Sequence, residues 1–406
     1  MGARSRDHIT PALPRRGTSA AAVLSLFALV LVALTVGAGA AAPARAATAK
    51  GIVDWRLEAP EGISDLSTIQ PIVDEMGPNG LDAKFTRVYF RWARLQPYAP
   101  GTTYAADGNG DGYDDAYVSE LEAVVGAFKA AGIKVIMTGT DCPRWASDTR
   151  YSGSAQGAAV VPAIDKPRVK TAWQYLARYL AEHFGLIGAR YFEVWNEPNL
   201  SSGLYPQLYG AKKTPVGPAV YLKMLKAFST VAHKADKGAV VIAGATSRRG
   251  ANDAHSTSPQ WFATYLKDHG GAKYLDAYSH HPYTPPGASP APGAVPKGAA
   301  KAVTLGNIGA LLKIFPTKPF YLTEYGLSTD VHDLFCVVVS RDDQAKYLRQ
   351  AYALVSRKPQ IKAMVWFLLQ DFVQDPVTLD GVYSGLDDQS GRPKPAWYAF
   401  AGKPAP

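Results

Sequence analysis

The chain has 406 residues, 47% of them hydrophobic and 11% aromatic, and a formal net charge of +9. That length holds one large α/β barrel or two small domains. The basic residues form no cluster dense enough for a nucleic-acid surface.

The first segment is not expected to belong to the fold. Arg4, Arg6, Arg15 and Arg16 precede an apolar run from about Ala20 to Val36, and Ala44-Arg45-Ala46 offers a cleavage site. This is the order of a secretory signal, so residues 1–46 are expected to be removed and 47–406 to form the domain. The run is almost long enough to be an uncleaved anchor, and Arg15-Arg16 could serve twin-arginine export. Residues 1–46 hold five Lys/Arg and one Asp, so their loss takes +9 to +5. No later segment reads as a membrane span. A secreted, extracellular monomer is expected.

Apolar strands then alternate with amphipathic helices, the pattern of a parallel sheet. Strands are predicted at 51–57, 86–90, 133–138, 191–195, 239–243, 275–279, 320–323 and 361–367. Helices are predicted at 118–131, 170–184, 220–234, 260–267, 305–314 and 340–355, the last opened by a capping box at Ser340 and Asp343. Eight βα units of about 45 residues fit a single-domain α/β protein, a (β/α)8 TIM barrel with insertions. No Gly-rich phosphate loop follows the first strand, which argues against a nucleotide-binding sheet. The Pro- and Ala-rich stretch 285–300 reads as a loop, because the βα pattern resumes after it.

The most informative motif is Trp195-Asn196-Glu197-Pro198-Asn199, which ends the fourth strand. Five specified residues recur by chance about once in a few million positions. A glutamate at the C-terminal tip of a barrel strand suits a general acid. A second carboxyl, Glu324, ends the seventh strand in Tyr321-Leu322-Thr323-Glu324-Tyr325. Two carboxyls about 5 Å apart make a retaining pair: Glu324 attacks an anomeric carbon, and Glu197 protonates the leaving oxygen and then deprotonates water. Burial and the neighbouring charge are expected to raise the acid's pKa. Neither carboxyl needs a cofactor for this chemistry.

Supporting residues read less sharply. Arg87 and Arg91 share one face of the second strand, and a buried arginine needs a partner, either the nucleophile or Glu193. His280 and His281 are adjacent on a strand and point to opposite faces, so joint metal ligation is not expected. Trp366 is either a sugar platform or plain core, as are Trp92 and Trp145. Asp107, Asn109 and Asp111 match the first half of a calcium loop, with Asp114 and Asp115 adding oxygens, but position twelve is Val118 instead of the bidentate glutamate. The alternative there is a solvated turn. Cys142 and Cys336 could form one disulfide if a barrel brings them close enough.

The sequence resembles clan A glycoside hydrolases. "YFEVWNEPN" is particularly similar to family 39, the β-xylosidase and α-iduronidase group, here without that group's accessory β-domain. The resemblance implies a retaining glycosidase acting on a carbohydrate, with Glu197 as acid/base and Glu324 as nucleophile. It further implies that Asn196 binds the sugar 2-hydroxyl, that Arg87 supports the nucleophile, that His281 and Tyr283 line the donor subsite, and that Trp366 is a platform. The missing β-domain leans toward members that cut longer polysaccharides. Transglycosylation on the same scaffold, or a catalytically idle glycan-binding barrel, are the other readings.

Overall fold

The computed structural model describes residues 48–405 apart from 59, 61, 64, 152–158, 297–300 and 334. The expected secretory segment lies outside the described residues. Eight parallel strands close into a barrel: β1 (Ala49–Val53), β2 (Phe85–Arg91), β3 (Lys134–Thr140), β4 (Tyr191–Glu193), β5 (Val240–Ser247), β6 (Ala277–His281), β7 (Phe320–Tyr325) and β8 (Ile361–Phe367). Their order around the ring follows the chain, and β8 pairs with β1 from Ala49↔Ala363 to Val53↔Phe367. The ring closes where Gly51 meets Phe85. Any side chain at Gly51 would stand 2.8 Å from the Phe85 carbonyl, so glycine lets the two strands approach.

Strand alternation divides the apolar residues into two cores. Val53, Phe85, Ile136, Ile242, Ala277, Tyr321, Ala363 and Val365 fill the barrel lumen. Their neighbours on the same strands, among them Ile52, Val88, Met137, Leu322 and Met364, face the helical ring. The ring includes Leu66–Met76, Asp115–Ala130, Pro167–Tyr179, Gly217–Ala235, Pro259–Asp268 and Arg341–Ser356. Side-chain caps start several of these: Asp65 accepts from Ser67 N, Asp114 from Tyr117 N, Ser258 from Trp261 N and Ser340 from Asp343 N.

Expected and observed elements agree strand by strand, with shifted ends. The first strand stops at Val53, and Trp55–Glu58 turns into a short helix. The helix 305–314 is shorter than expected, split into a 3₁₀ turn at Leu305–Asn307 and one α-turn at Gly309–Leu312. The helix Leu66–Met76 carries Pro71 inside it, which hides it from a pattern reading. Both cysteines are free thiols; Cys336 is buried and Cys142 half-buried. Among the described residues, no helix is long and apolar enough to cross a membrane.

Candidate active site

The motif after β4 is held by its own polar residues. Asn199 is fully buried. Its amide donates to the carbonyls of Arg249 (3.0 Å) and Thr257 (2.9 Å), and its Oδ1 accepts from Ser247 N at 2.8 Å. Gln207 donates to the Pro198 and Leu204 carbonyls at 2.7 and 2.6 Å. Glu197 N bonds to Ala245 O and Asn196 N to Gly139 O, which ties the motif to β5 and β3. Glu197 itself has φ +39°, a left-handed conformation rare for a side-chain-bearing residue. Such strain persists only where the surroundings over-determine it, as this network does. Gly203 passes beneath, where an added Cβ would lie 2.5 Å from the Glu197 carbonyl.

Glu324 is the penultimate residue of β7, at the same end of the barrel. Its Oε1 accepts from Arg87 Nη1 at 2.7 Å and its Oε2 from the Tyr283 hydroxyl at 2.9 Å. Burial and the Glu324 charge hold the Tyr283 pKa well above its ordinary value, so the phenol stays a donor.

One imidazole bridges the two glutamates. His281 Nδ1 is 3.2 Å from Glu197 Oε1 and 3.5 Å from Glu324 Oε2. These two oxygens therefore lie no more than about 6.7 Å apart, the sum of the two distances. For these two oxygens that limit admits the retaining spacing of roughly 5 Å and reaches only the lower end of the inverting range, roughly 6.5–9.5 Å. On the other side of the ring, Nε2 meets Thr323 Oγ1 at 3.1 Å, and that hydroxyl donates to Glu193 Oε1 at 2.8 Å. A hydroxyl already donating must accept from Nε2–H, and Nδ1 faces carboxylates, so both nitrogens carry protons. Burial opposes that charge, but Glu324 and the bond to Glu197 raise the His281 pKa above its ordinary value.

Arg87, fully buried, is the hub beneath. Besides Glu324 it reaches Glu193 Oε2 at 2.9 Å, Glu58 Oε1 at 2.8 Å and Asn196 Oδ1 at 2.6 Å. The alternatives for its partner, nucleophile or Glu193, are thus both realised. Asn196 is left with an amide NH2 that has no protein acceptor among the described residues. Burial opposes the Glu193 charge, but Arg87, His281 and hydroxyl bonds hold its pKa below the ordinary value. Glu58 is different: burial, reinforced by the Glu324 charge, pushes its pKa up to about 7 against the pull of Arg87.

Two expectations need correction. The Glu197 pKa is lowered: burial raises it, but the protonated His281 and its hydrogen bond outweigh burial. The resting pair is therefore carboxylate and imidazolium. Trp366 is not a platform. It is 0% exposed, its Nε1 donates to Ser384 O at 2.8 Å, and its ring packs edge-on against Tyr325 in the outer core. Strand parity explains this: Ala363 and Val365 face the lumen, so Met364 and Trp366 face the helices. Trp92 is core too, tilted against Trp173 at 4.9 Å, with Trp145 packed on its edge. His280 and His281 do point apart. His280 lies between Thr246 and the Val303 carbonyl, and burial pushes its pKa down to about 3.

Sequence reasoning missed Glu58, Thr323, and the aromatic pair Trp55 and Phe372, whose rings lie 4.5 Å apart just beyond β1 and β8. Trp55 is 38% exposed. Its signal was a tryptophan immediately after the first strand. The Asp107–Asp115 segment folds as a run of side-chain-capped turns. Asp107 accepts from Gly112 N, Asn109 from Asp111 N, Asp111 from Tyr113 N, and Asp115 from Gly108 N. Among the described residues no three His, Cys, Asp or Glu side chains are grouped to hold an ion.

A closed (β/α)8 barrel with paired glutamates at its C-terminal face is the build of a glycosidase. The model of the cellulase family, glycosyl hydrolase family 5, matches residues 70–370. The chain therefore belongs to glycosyl hydrolase family 5 within clan A, and it is a glycosidase. No curated protein matches the sequence. Among solved structures, a family 39 glycoside hydrolase from Bacteroides cellulosilyticus WH2 is similar at 21% identity and TM-score 0.56, over 87% of this chain. This chain spans only 62% of that protein's length. A monomeric β-xylosidase from Caulobacter crescentus CB15 shares 19% identity over 87% of this chain and 69% of its own, at TM-score 0.52. GH5_18 from Streptomyces cattleya, in complex with GlcNAc, shares 16% over 89% and 83%, at TM-score 0.56. At these identities the likeness is one of fold.

Proposed function

We propose that this glycosidase is exported and cleaves a polysaccharide or oligosaccharide with retention of configuration, Glu324 as nucleophile and Glu197 as acid/base. The observation that carries the reading is the single His281 nitrogen within 3.5 Å of both carboxylates, which limits their separation. Arg87 and Tyr283 fix the attacking carboxylate, and the Asn196 amide is free to meet a sugar hydroxyl.

The proton for the leaving group starts on His281. Sugar entering the cleft displaces water from Glu197 and raises its affinity for a proton. The Nδ1 proton then passes to Glu197 Oε1, leaving a neutral imidazole. Glu324 attacks the anomeric carbon as Glu197 gives that proton to the departing oxygen. In the second half, Glu197 takes a proton from water, whose oxygen displaces Glu324. Export is supported by the charged, apolar, small-residue order of residues 1–46.

The test is product stereochemistry together with rescue. NMR of the first product should show the substrate's anomer. Glu324→Ala should be nearly inactive, and azide should restore turnover with the inverted glycosyl azide. An inverted first product from the native enzyme would refute the reading.

A further inference from the structure

A cavity of about 790 Å³ is lined by Leu200, Ser201, Ser202, Arg249, His255, Ser256 and Lys301, among others. Its size is that of a ligand site. Three loops build it, those after β4, β5 and β6, so it lies over the part of the ring that carries the acid. Its first wall begins three residues after Glu197, and Asn199 clamps the Arg249 carbonyl to the same loop. The opposite flank, above β1, β2 and β8, is occupied by Glu58, Arg87, Trp55 and Phe372. Because the acid must reach the bridging oxygen, the leaving sugar lies on the Glu197 side.

The charge of this side is one-signed. None of the residues lining the cavity is Asp or Glu. Asp253, in the same loop as His255, turns its carboxylate onto the amides of His255 and Ser256 at 2.9 and 2.8 Å. Lys301 is anchored through the Ala251 carbonyl at 2.8 Å. Arg248, the half-buried neighbour of Arg249, donates from Nη1 to the Phe335 carbonyl at 3.5 Å. Among the described residues no carboxylate lies within ion-pair distance of Arg248, Arg249 or Lys301. Arg249 and Lys301, both exposed, line this concave space, and cations gathered there without counter-charges attract an anion.

We propose that the cavity is a leaving-group subsite for a sugar bearing an exocyclic oxyanion, with Arg249 and Lys301 binding the anion and Ser201, Ser202 and Ser256 its hydroxyls. The inference rests on the proposed roles of Glu197 and Glu324. An acidic polysaccharide is then the substrate class, with a neutral sugar at the nucleophile and an anionic one beyond the acid. The oxyanion is either a carboxylate, as in a uronic acid, or a sulfate ester.

The test measures binding to the Glu324→Gln protein, so that nothing is turned over. Cellohexaose and two hexamers oxidised at C6 or 6-O-sulfated on the three reducing-end sugars alone are titrated calorimetrically at about 20 mM and about 200 mM salt. One charge-assisted contact predicts at least roughly tenfold tighter binding of an anionic hexamer than of cellohexaose, shrinking with salt. Preference for the oxidised hexamer assigns a carboxylate, and preference for the sulfated one a sulfate ester. Adding Arg249→Glu and Lys301→Glu should reverse the order, leaving the neutral hexamer the best ligand at an unchanged melting temperature. Equal binding of all three, no binding of either anionic hexamer, or a preference that survives the charge reversal overturns the proposal. The underlying reading fails separately: a native enzyme that hydrolyses no aryl glycoside in a broad panel, or whose hydrolysis survives Glu324→Gln, refutes the roles of the glutamates themselves.

Discussion

Glu58 gives the sharpest quantitative prediction. It is buried at the end of the short helix after β1, and its Oε1 shares Arg87 Nη1 with Glu324, at 2.8 and 2.7 Å. Burial first, and the Glu324 charge after it, move its pKa from 4.5 to about 7. That difference corresponds to roughly 3 kcal/mol of differential proton binding. The folded state holds this proton more tightly than the unfolded chain. The stabilisation is therefore complete below pH 4.5 and is lost as pH rises to about 7. Glu193 and Glu197, whose pKa values are lowered, act in the opposite sense and at lower pH: their contribution is present above 4.5 and lost as pH falls. The window between 4.5 and 7 thus isolates Glu58 when the native protein is compared with Glu58→Gln. The amide mimics the protonated acid, so the two proteins should be about equally stable at pH 4.5. At pH 8 the variant should be the more stable by roughly 3 kcal/mol. Urea unfolding across the range reads this directly. Its alkaline activity limb should also move upward, because an ionised Glu58 competes with Glu324 for one guanidinium nitrogen. Equal stability at pH 8, or a variant already destabilised at pH 4.5, would refute the assignment of the proton to Glu58.

Trp366→Ala should cost about 3–5 kcal/mol of stability by leaving a cavity in the outer core, with the activity per folded molecule little changed; strong loss of activity at an unchanged melting temperature would return it to the cleft. Glu197→Ala should slow hydrolysis of substrates with poor leaving groups by about 10²–10⁴, and should slow glycosylation by activated aryl glycosides far less. Equal losses on both substrate types would contradict its role as acid. Both thiols should titrate with a disulfide reagent in denaturant and react slowly in the native protein, since burial pushes Cys142 up to about 12 and Cys336 well above its ordinary value. A denatured chain without free thiols would contradict the structure.

The barrel was legible because eight apolar runs alternate with helical periodicity, and period-2 burial writes itself into such strands. The two glutamates were legible because each stands at or just past the C-terminal end of an apolar strand. What stayed hidden depends on geometry across the barrel. Trp366 looked like a platform until strand parity placed it outward, behind Val365. Glu58 is hidden because its partners, Arg87 and Glu324, are 29 and 237 residues apart along the chain from Glu58 and Arg87 respectively. The Glu197 pKa was misjudged because the decisive neighbour, His281, lies 84 residues away and brings a positive charge rather than a negative one. The Leu66–Met76 helix escaped because Pro71 reads as a breaker.

The central claim is that Glu324 forms a covalent bond to the sugar. A 2-deoxy-2-fluoro glycoside with a good leaving group slows both steps but the second more, so the glycosyl-enzyme accumulates. After inactivation and proteolysis, mass spectrometry should find one fluoro-sugar on the peptide that contains Glu324, and none on that containing Glu197. A sugar attached elsewhere, or hydrolysis that proceeds with inversion and no adduct, would contradict the account.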